Sequence, residues 1–281
     1  MENEWWLRKA QEIQQHADNN NTYAFYDAVK SLHGPQRQNI VPVRLADGSV
    51  LLKDKQQILE RWAEHFNSLL NKSNPSDPSV LNALPELPPV PSLDEPPTFI
   101  EVLSAVRSLK NNKSAGPDGL PAEILKKGGY LLTRQLHHLI CNIWRNETLP
   151  QEWKDSHIVT IYKRKGDKSS CGNSRGISLL SVAGKVLAKV MLFRLTTHIT
   201  EDILPETQCG FRKNRSTLDM IFAARQVQEK CREQNKALYI TFIDLTKAFD
   251  TVDREILWIV LHKFGVPPKF LNTNLPPSQL R

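Results

Sequence analysis

The chain has 281 residues, 40% hydrophobic and 24% charged, with a net charge of +7 and a pI near 9.2. That is globular composition, enough for one or two domains. No run of roughly 18 apolar residues occurs, which excludes an apolar membrane-spanning helix; "LLSVAGKVLAKVMLF" is interrupted by Lys185 and Lys189. The start, "MENEWWLRKA", lacks the apolar core of a secretion signal. The cysteines Cys141, Cys171, Cys209 and Cys231 form no CxxC pair and sit near no histidine at zinc-finger spacing. Reduced thiols in a nuclear or cytoplasmic protein, neither secreted nor membrane-bound, are expected. Charge is uneven. Residues 1–150 hold 16 Lys+Arg against 17 Asp+Glu, leaving 21 against 13 for residues 151–281, a balance of +8. A basic second half fits a polyanion partner, or a solvated basic surface.

In chain order, residues 5–18 place Trp6, Ala10, Ile13 and Ala17 on one helical face, and residues 54–71 do the same with Ile58, Trp62, Phe66 and Leu69. Between them the Asp-Gly of "LADGSVLL" marks a turn. Residues 75–97 contain eight of the 18 prolines and read as an extended linker. "TFIEVLSAVRSL" then opens on a Thr98/Glu101 capping box, and "SAGPDG" is a turn. Residues 131–145 are amphipathic, with Leu132, Leu136, Ile140 and Ile143 inward. Residues 157–163 and 175–180 read as two strands of a basic hairpin around "RKGDKSSCGNS". Residues 181–198, 216–234 and 254–265 read as helices, and "NTNLPPSQLR" shows no periodicity. "LYITFID", 238–244, is almost continuously apolar, which predicts a strand buried on both faces.

Three features carry chemistry. Asp244 ends that apolar strand; a buried carboxylate must be paired or hold a cation such as magnesium. The alternative for Asp244, Asp250 or Asp253 is capping the helix that follows, and Asp253 is best placed for it. Lys163, Arg164, Lys165, Lys168 and Arg175 cluster in the hairpin, and "GFRKNR", 210–215, sets three cations beside an aromatic. Both suit phosphates or single strands, and both also read as solvated loops. His137 and His138 are adjacent and do not share a helix face, which makes them structural.

Four stretches in order, "SAGPDGLPAEILK", "IYKRKGD…RGISLLSVAGKVLAKVMLFRL", "ILPETQCGFRKNRSTLDMIF" and "FIDLTKAFDTVDREILWIVLHKFGVP", resemble the reverse transcriptase of non-LTR, LINE-type retrotransposons. "KAQEI…FYDAVKSLHGP…DGSVLLKDKQQILERWAEHFNSLLN" resembles the segment joining endonuclease to polymerase in these elements. The resemblance covers residues from about 5 to 270.

The resemblance implies an α+β fold: a helical connector over 1–74, the proline linker over 75–97, and over 98–281 an incomplete right-hand polymerase with fingers and the start of a palm. It makes Asp244 the first catalytic, metal-binding aspartate, with magnesium as cofactor. It places Phe249 where the 2′-hydroxyl is screened, and Lys163 and Arg175 at the incoming triphosphate. Gly210, Phe211 and Arg212 fall near template and primer. Expected partners are an RNA template with a DNA primer, or an RNA–DNA duplex, and nucleoside triphosphates. The family carries an aromatic or similar residue before the arginine of the hairpin; here it is Ser174.

After "KFGVPPKF" the family continues to an aromatic-Ala-Asp-Asp hairpin and a thumb, whereas no Asp-Asp dipeptide occurs in these 281 residues. The nearest acidic pair, Glu201-Asp202, precedes the stretch that carries Asp244. The expectation is a C-terminally truncated RNA-directed DNA polymerase, inactive alone. The alternatives are a non-catalytic RNA- or DNA-binding remnant, or a degenerate product without selected function.

Overall fold

The computed structural model describes residues 2–33, 41–71, 78–198 and 203–274. The architecture is α+β, with many helices and two small two-stranded sheets among the described residues. The chain divides into two compact units, residues 1–63 with 160–175, and residues 64–159 with 176–281.

In the first unit, helix α1 (Glu2–Asp18) packs on α2 (Thr22–His33). Asn20 takes a left-handed φ of 51° in the link, and the Asn21 side chain accepts from the Ala24 amide at 3.2 Å. The side of α1 that is half-buried runs through Lys9, Ile13 and His16. Of the face read from sequence only Ile13 is covered, and Trp6 stays 50% exposed. One neighbouring helix shields only a narrow stripe, so the wider apolar pattern is not fully used.

Strands β1 (Val43–Arg44) and β2 (Leu51–Leu52) pair antiparallel, Val43 opposite Leu52. Their turn is set by Gly48 at φ 77° and by Asp47, whose carboxylate accepts from the Ser49 amide at 2.9 Å. Asp54 caps α3 (Lys55–Leu70), accepting from Gln56 and Gln57 at 2.9 and 3.2 Å. Val43, Ile58 and Cys171 form a small buried cluster edged by Leu52 and Trp62.

The second unit holds the main core. After α4 (Pro78–Asn82) the proline-rich stretch is extended, but it is bonded into the unit rather than loose. The Leu87 amide donates to Lys263 O at 2.7 Å and the Val90 amide to Gly265 O at 2.9 Å. Gly265 is needed there: φ is 82°, and a Cβ would lie 2.3 Å from Pro88 O. A short 3-10 turn at Pro91–Leu93 drops Leu93 into the core, fully buried.

Helices α5 (Phe99–Arg107), α6 (Ala122–Lys127) and α7 (Gly129–Asn146) follow. Thr98 and Glu101 form the capping box read from sequence. Leu136, Ile140 and Ile143 of α7 are buried as expected, while Leu132 is half-covered. Gly116 of the "SAGPDG" turn is buried so close to the chain that a Cβ would meet Leu180 O at 2.4 Å.

After α8 (Gln151–Lys154), strands β3 (Ser156–Tyr162) and β4 (Ser174–Leu180) pair with each other. Then come α9 (Val182–His198), α10 (Thr217–Glu233), α11 (Arg254–Lys263) and α12 (Pro268–Asn274). Residues 268–274 are thus helical where part of that range shows no sequence periodicity. Pro268 suits a first helical position, and Phe270, Leu271 and Thr273 are buried. Residues 275–281 lie outside the described residues.

Trp144 anchors the core, edge-on to Phe270 with ring centroids 5.7 Å apart, its indole N–H donating to Asp94 O at 2.9 Å. Arg194 of α9 is 6% exposed among these apolar groups and is fully engaged. It donates to Glu101 at 2.6 and 2.8 Å, to Glu95 O at 2.5 Å and to Pro96 O at 3.2 Å, and it lies over the Trp144 ring at 5.6 Å. A buried guanidinium persists only with its donors satisfied, and here one residue ties α9, the proline stretch and α5 together.

Residues 236–245 depart from expectation. The strand predicted over 238–244 is absent, and the segment runs without regular structure or burial. Tyr239 is 92% exposed, Phe242 91% and Ile243 83%. A strand needs a neighbour for its amides and carbonyls. Among the described residues nothing pairs with this segment, so its apolar composition does not become a sheet.

Candidate nucleotide and nucleic-acid site

The expected site residues fall into both units, Lys163 and Arg175 in the first, Gly210, Phe211, Arg212, Asp244 and Phe249 in the second. In the hairpin, the Lys163 amide donates to Asn173 O at 2.9 Å and its ammonium to Gly172 O at 3.0 Å. The tip folds on itself. Tyr162 Oη donates to Gly166 O at 2.5 Å, and Asn173 donates to Asp167 O at 2.9 Å. Asp167 accepts from Ser169 N and Oγ at 2.9 and 2.7 Å and faces Arg44 Nε at 3.4 Å. Those Ser169 hydrogen bonds first, then Arg44, hold its carboxyl below the usual range. Arg164, Lys165, Lys168 and Arg175 are exposed, and none has an acidic partner among the described residues. Ser174 is buried at the start of β4.

The basic loop at 210–215 is less available than its sequence implies. Arg212 donates to Leu204 O and Pro205 O at 3.3 and 3.0 Å, and its guanidinium lies 3.6 Å from Glu206. Arg215 pairs with the same carboxylate, with Nε at 3.1 Å. The hydrogen bond from Arg215, reinforced by its charge, depresses the Glu206 carboxyl. Two of the three cations therefore hold the loop together, leaving Lys213 exposed. No motif marks Glu206; its signal in the sequence is a carboxylate six residues before Arg212, across a turn. Gly210 is exposed and keeps ordinary φ, with room for a side chain. Phe211 sits at φ 57° and is 94% exposed.

Phe249 lies in a turn closed by Asp250 N and Thr251 N donating to Lys247 O at 2.9 and 3.1 Å. Lys247 Nζ approaches His65 Nε2 at 3.4 Å. The Phe211 and Phe249 rings meet edge-to-face, 5.6 Å apart at 88°. These aromatics belong to separate sequence motifs; the fold puts them side by side on the surface. Asp253 caps α11, accepting from Glu255 and Ile256 at 3.0 and 3.2 Å.

Asp244 is exposed, at the end of an unpaired segment. The described residues do not fit a magnesium site by themselves, since no group of three or more His, Cys, Asp or Glu is placed to hold an ion. A single surface carboxylate is a weak ligand set for a hard divalent cation. Glu201 and Asp202 lie outside the described residues. His137 is structural, its Nε2 lying 2.9 Å from Pro97 O and 3.3 Å from Cys141 Sγ. All four cysteines are free. No helix among the described residues is long and apolar enough to cross a membrane.

The reverse transcriptase (RNA-dependent DNA polymerase) family profile matches residues 162–280. The chain is 28% identical over 253 residues to an uncharacterized 149 kDa protein of transposon TX1 from Xenopus laevis, covering 88% of this chain and 19% of that protein. It is 30% identical over 236 residues to the probable RNA-directed DNA polymerase from transposon BS of Drosophila melanogaster, covering 82% of this chain and 26% of that protein. The RNA-directed DNA polymerase from mobile element jockey of the same fly is 27% identical over 161 residues, covering 55% of this chain and 17% of that protein. The chain thus spans between 17% and 26% of the length of these relatives. The loop and second strand of its hairpin, its aromatic pair and Asp244 lie within the matched stretch, and in that stretch and beyond it the chain is similar to the reverse transcriptases of non-LTR, LINE-type retrotransposons.

Proposed function

We propose that this chain handles nucleic acid as part of a reverse transcriptase of the LINE type, and that its 281 residues by themselves do not polymerise. In this reading residues 1–74 are the connector, 75–97 the proline segment, and 98–281 the fingers and the start of the palm. Lys163 and Arg175 face the triphosphate, Phe249 the sugar, and Gly210, Phe211 and Arg212 the template and primer. Asp244 is the first catalytic carboxylate. The observation that supports the reading is the pairing of Phe211 with Phe249, two exposed aromatics that the reading assigns to the template and the sugar. Exposed aromatic faces beside cations are what a single strand stacks on.

Two-metal phosphoryl transfer needs carboxylates from more than one strand. Asp244 is the one such residue the motifs supply, with no Asp-Asp dipeptide in the sequence. A deficit of about 4 kcal/mol in transition-state stabilisation is already roughly a thousandfold in rate. The purified 281-residue chain, given an RNA template, an annealed DNA primer and magnesium or manganese, is expected to extend no primer. Extension that vanishes in Asp244→Ala would overturn this.

The second reading, binding without chemistry, draws on the unpaired hairpin cations. A labelled RNA–DNA duplex titrated at two salt concentrations should bind more weakly at the higher one, with a log–log slope of about 0.7–0.9 per phosphate neutralised. Lys163→Ala with Arg175→Ala should flatten that slope. Binding that is absent at low salt, or insensitive to salt, leaves the hairpin as solvated surface.

A further inference from the structure

The second unit carries a groove that the polymerase reading does not use. Its cavity of about 360 Å³ lies between the turn after α5 and the outer face of α9. Leu109, Ala122 and Val182 form a buried aliphatic floor, and Ala188 and Leu192 continue it to solvent. Val182, Lys185, Ala188, Lys189 and Leu192 recur at helical spacing, so one face of α9 supplies both apolar wall and charge. Lys110, Lys113, Lys185 and Lys189 stand around it, and no acidic residue lines it.

None of these lysines is ion-paired among the described residues; Lys189 Nζ reaches only the Ser108 hydroxyl, at 3.0 Å. Nearby acids are turned to other work. Glu123 accepts from the Asn112 amide, and Asp118 from Leu120 N at 3.2 Å. Four lysines around an aliphatic floor with no acidic lining residue leave a positive field there.

We propose that this groove docks an acidic peptide segment of a partner protein, with aliphatic side chains on the floor and carboxylates toward the lysines. The volume matches a small pocket for apolar groups, and charge complementarity sets the sign of the partner. Nucleic acid is the poorer match. The lining has no aromatic ring on which a base could stack and, apart from the lysines, Ser114 as its one polar side chain.

The test uses the full chain with three labelled probes: an amphipathic dodecamer of Leu and Glu, an all-Glu dodecamer, and a 20-nucleotide single-stranded RNA. The Leu/Glu peptide should bind, and Lys185→Glu with Lys189→Glu should weaken it at least tenfold. Ala188→Phe, which fills the floor without touching charge, should weaken it similarly while leaving RNA binding unchanged. Circular dichroism establishes that each variant is folded. Equal binding of the all-Glu peptide, indifference to Ala188→Phe, or loss of RNA binding in both variants without peptide binding would each overturn the proposal. Primer-extension results bear on none of these outcomes.

Discussion

Helices α9 and α10 are each 17 residues long and each rich in aliphatic side chains, yet they end in opposite environments. In α9, Val182, Val186, Leu187, Val190 and Met191 are buried, and so is Arg194. In α10 no residue is buried, and Leu218 and Phe222 are 71% and 64% exposed. Composition separates them only in part, α10 being the more polar of the two. α10 has the better-marked start, a Ser216/Asp219 capping box, and its stripe of apolar residues is ordinary. The difference is the neighbour. α9 lies against α5 and beside the proline stretch, where even a guanidinium finds its partners. A helix holds its apolar face dry only when another element is there to cover it.

The largest effect expected from breaking this comparison is at Arg194. Arg194→Ala removes the link among α9, Glu95, Pro96 and Glu101 and leaves the Glu101 carboxylate partly buried without its cation. A loss of roughly 3–5 kcal/mol is expected, read from urea denaturation. A loss under about 1 kcal/mol would mean that the apolar packing alone sets the position of α9.

Next in size is the response to acid. Burial raises the Glu101 pKa, but Arg194 and Thr98 outweigh it and bring the group from 4.5 down to about 2. A carboxyl whose folded pKa lies below its unfolded value contributes stability above the unfolded value, and that stability is lost as pH falls through the folded one. The stability of the second unit should therefore drop between pH 4.5 and about 2. Arg194→Ala should flatten the curve in that window. An unchanged slope in the variant would place the acid sensitivity elsewhere.

The smallest effect on folding is expected in the exposed region. Phe222→Ser in α10 or Phe242→Ser in the 236–245 segment should shift stability by no more than about 0.5 kcal/mol, since neither side chain is buried. Both should reduce light scattering of the isolated chain at high concentration, because contiguous exposed apolar surface drives association. A loss above about 1 kcal/mol in either variant would show that the region is packed in solution, and the contrast with α9 would fall.

Features that depend on near neighbours along the chain are legible in the sequence. The Thr98/Glu101 capping box, the Asp253 cap, the Asp-Gly turn and the spans of α7, α9, β3 and β4 follow from local propensity and hydrogen-bonding chemistry. The ordered motifs also carried the kinship, and with it the choice of Asp244, Phe249 and the hairpin cations. Tertiary structure alone decided what depends on residues distant in sequence. It turned a proline run into a bonded strap and matched Arg194 to Glu101 across 93 positions. It spent Arg212 and Arg215 on Glu206, and it set Phe211 against Phe249. It also left "LYITFID" bare, because periodicity reports which side chains favour burial, whereas a strand exists only where another backbone meets its amides and carbonyls.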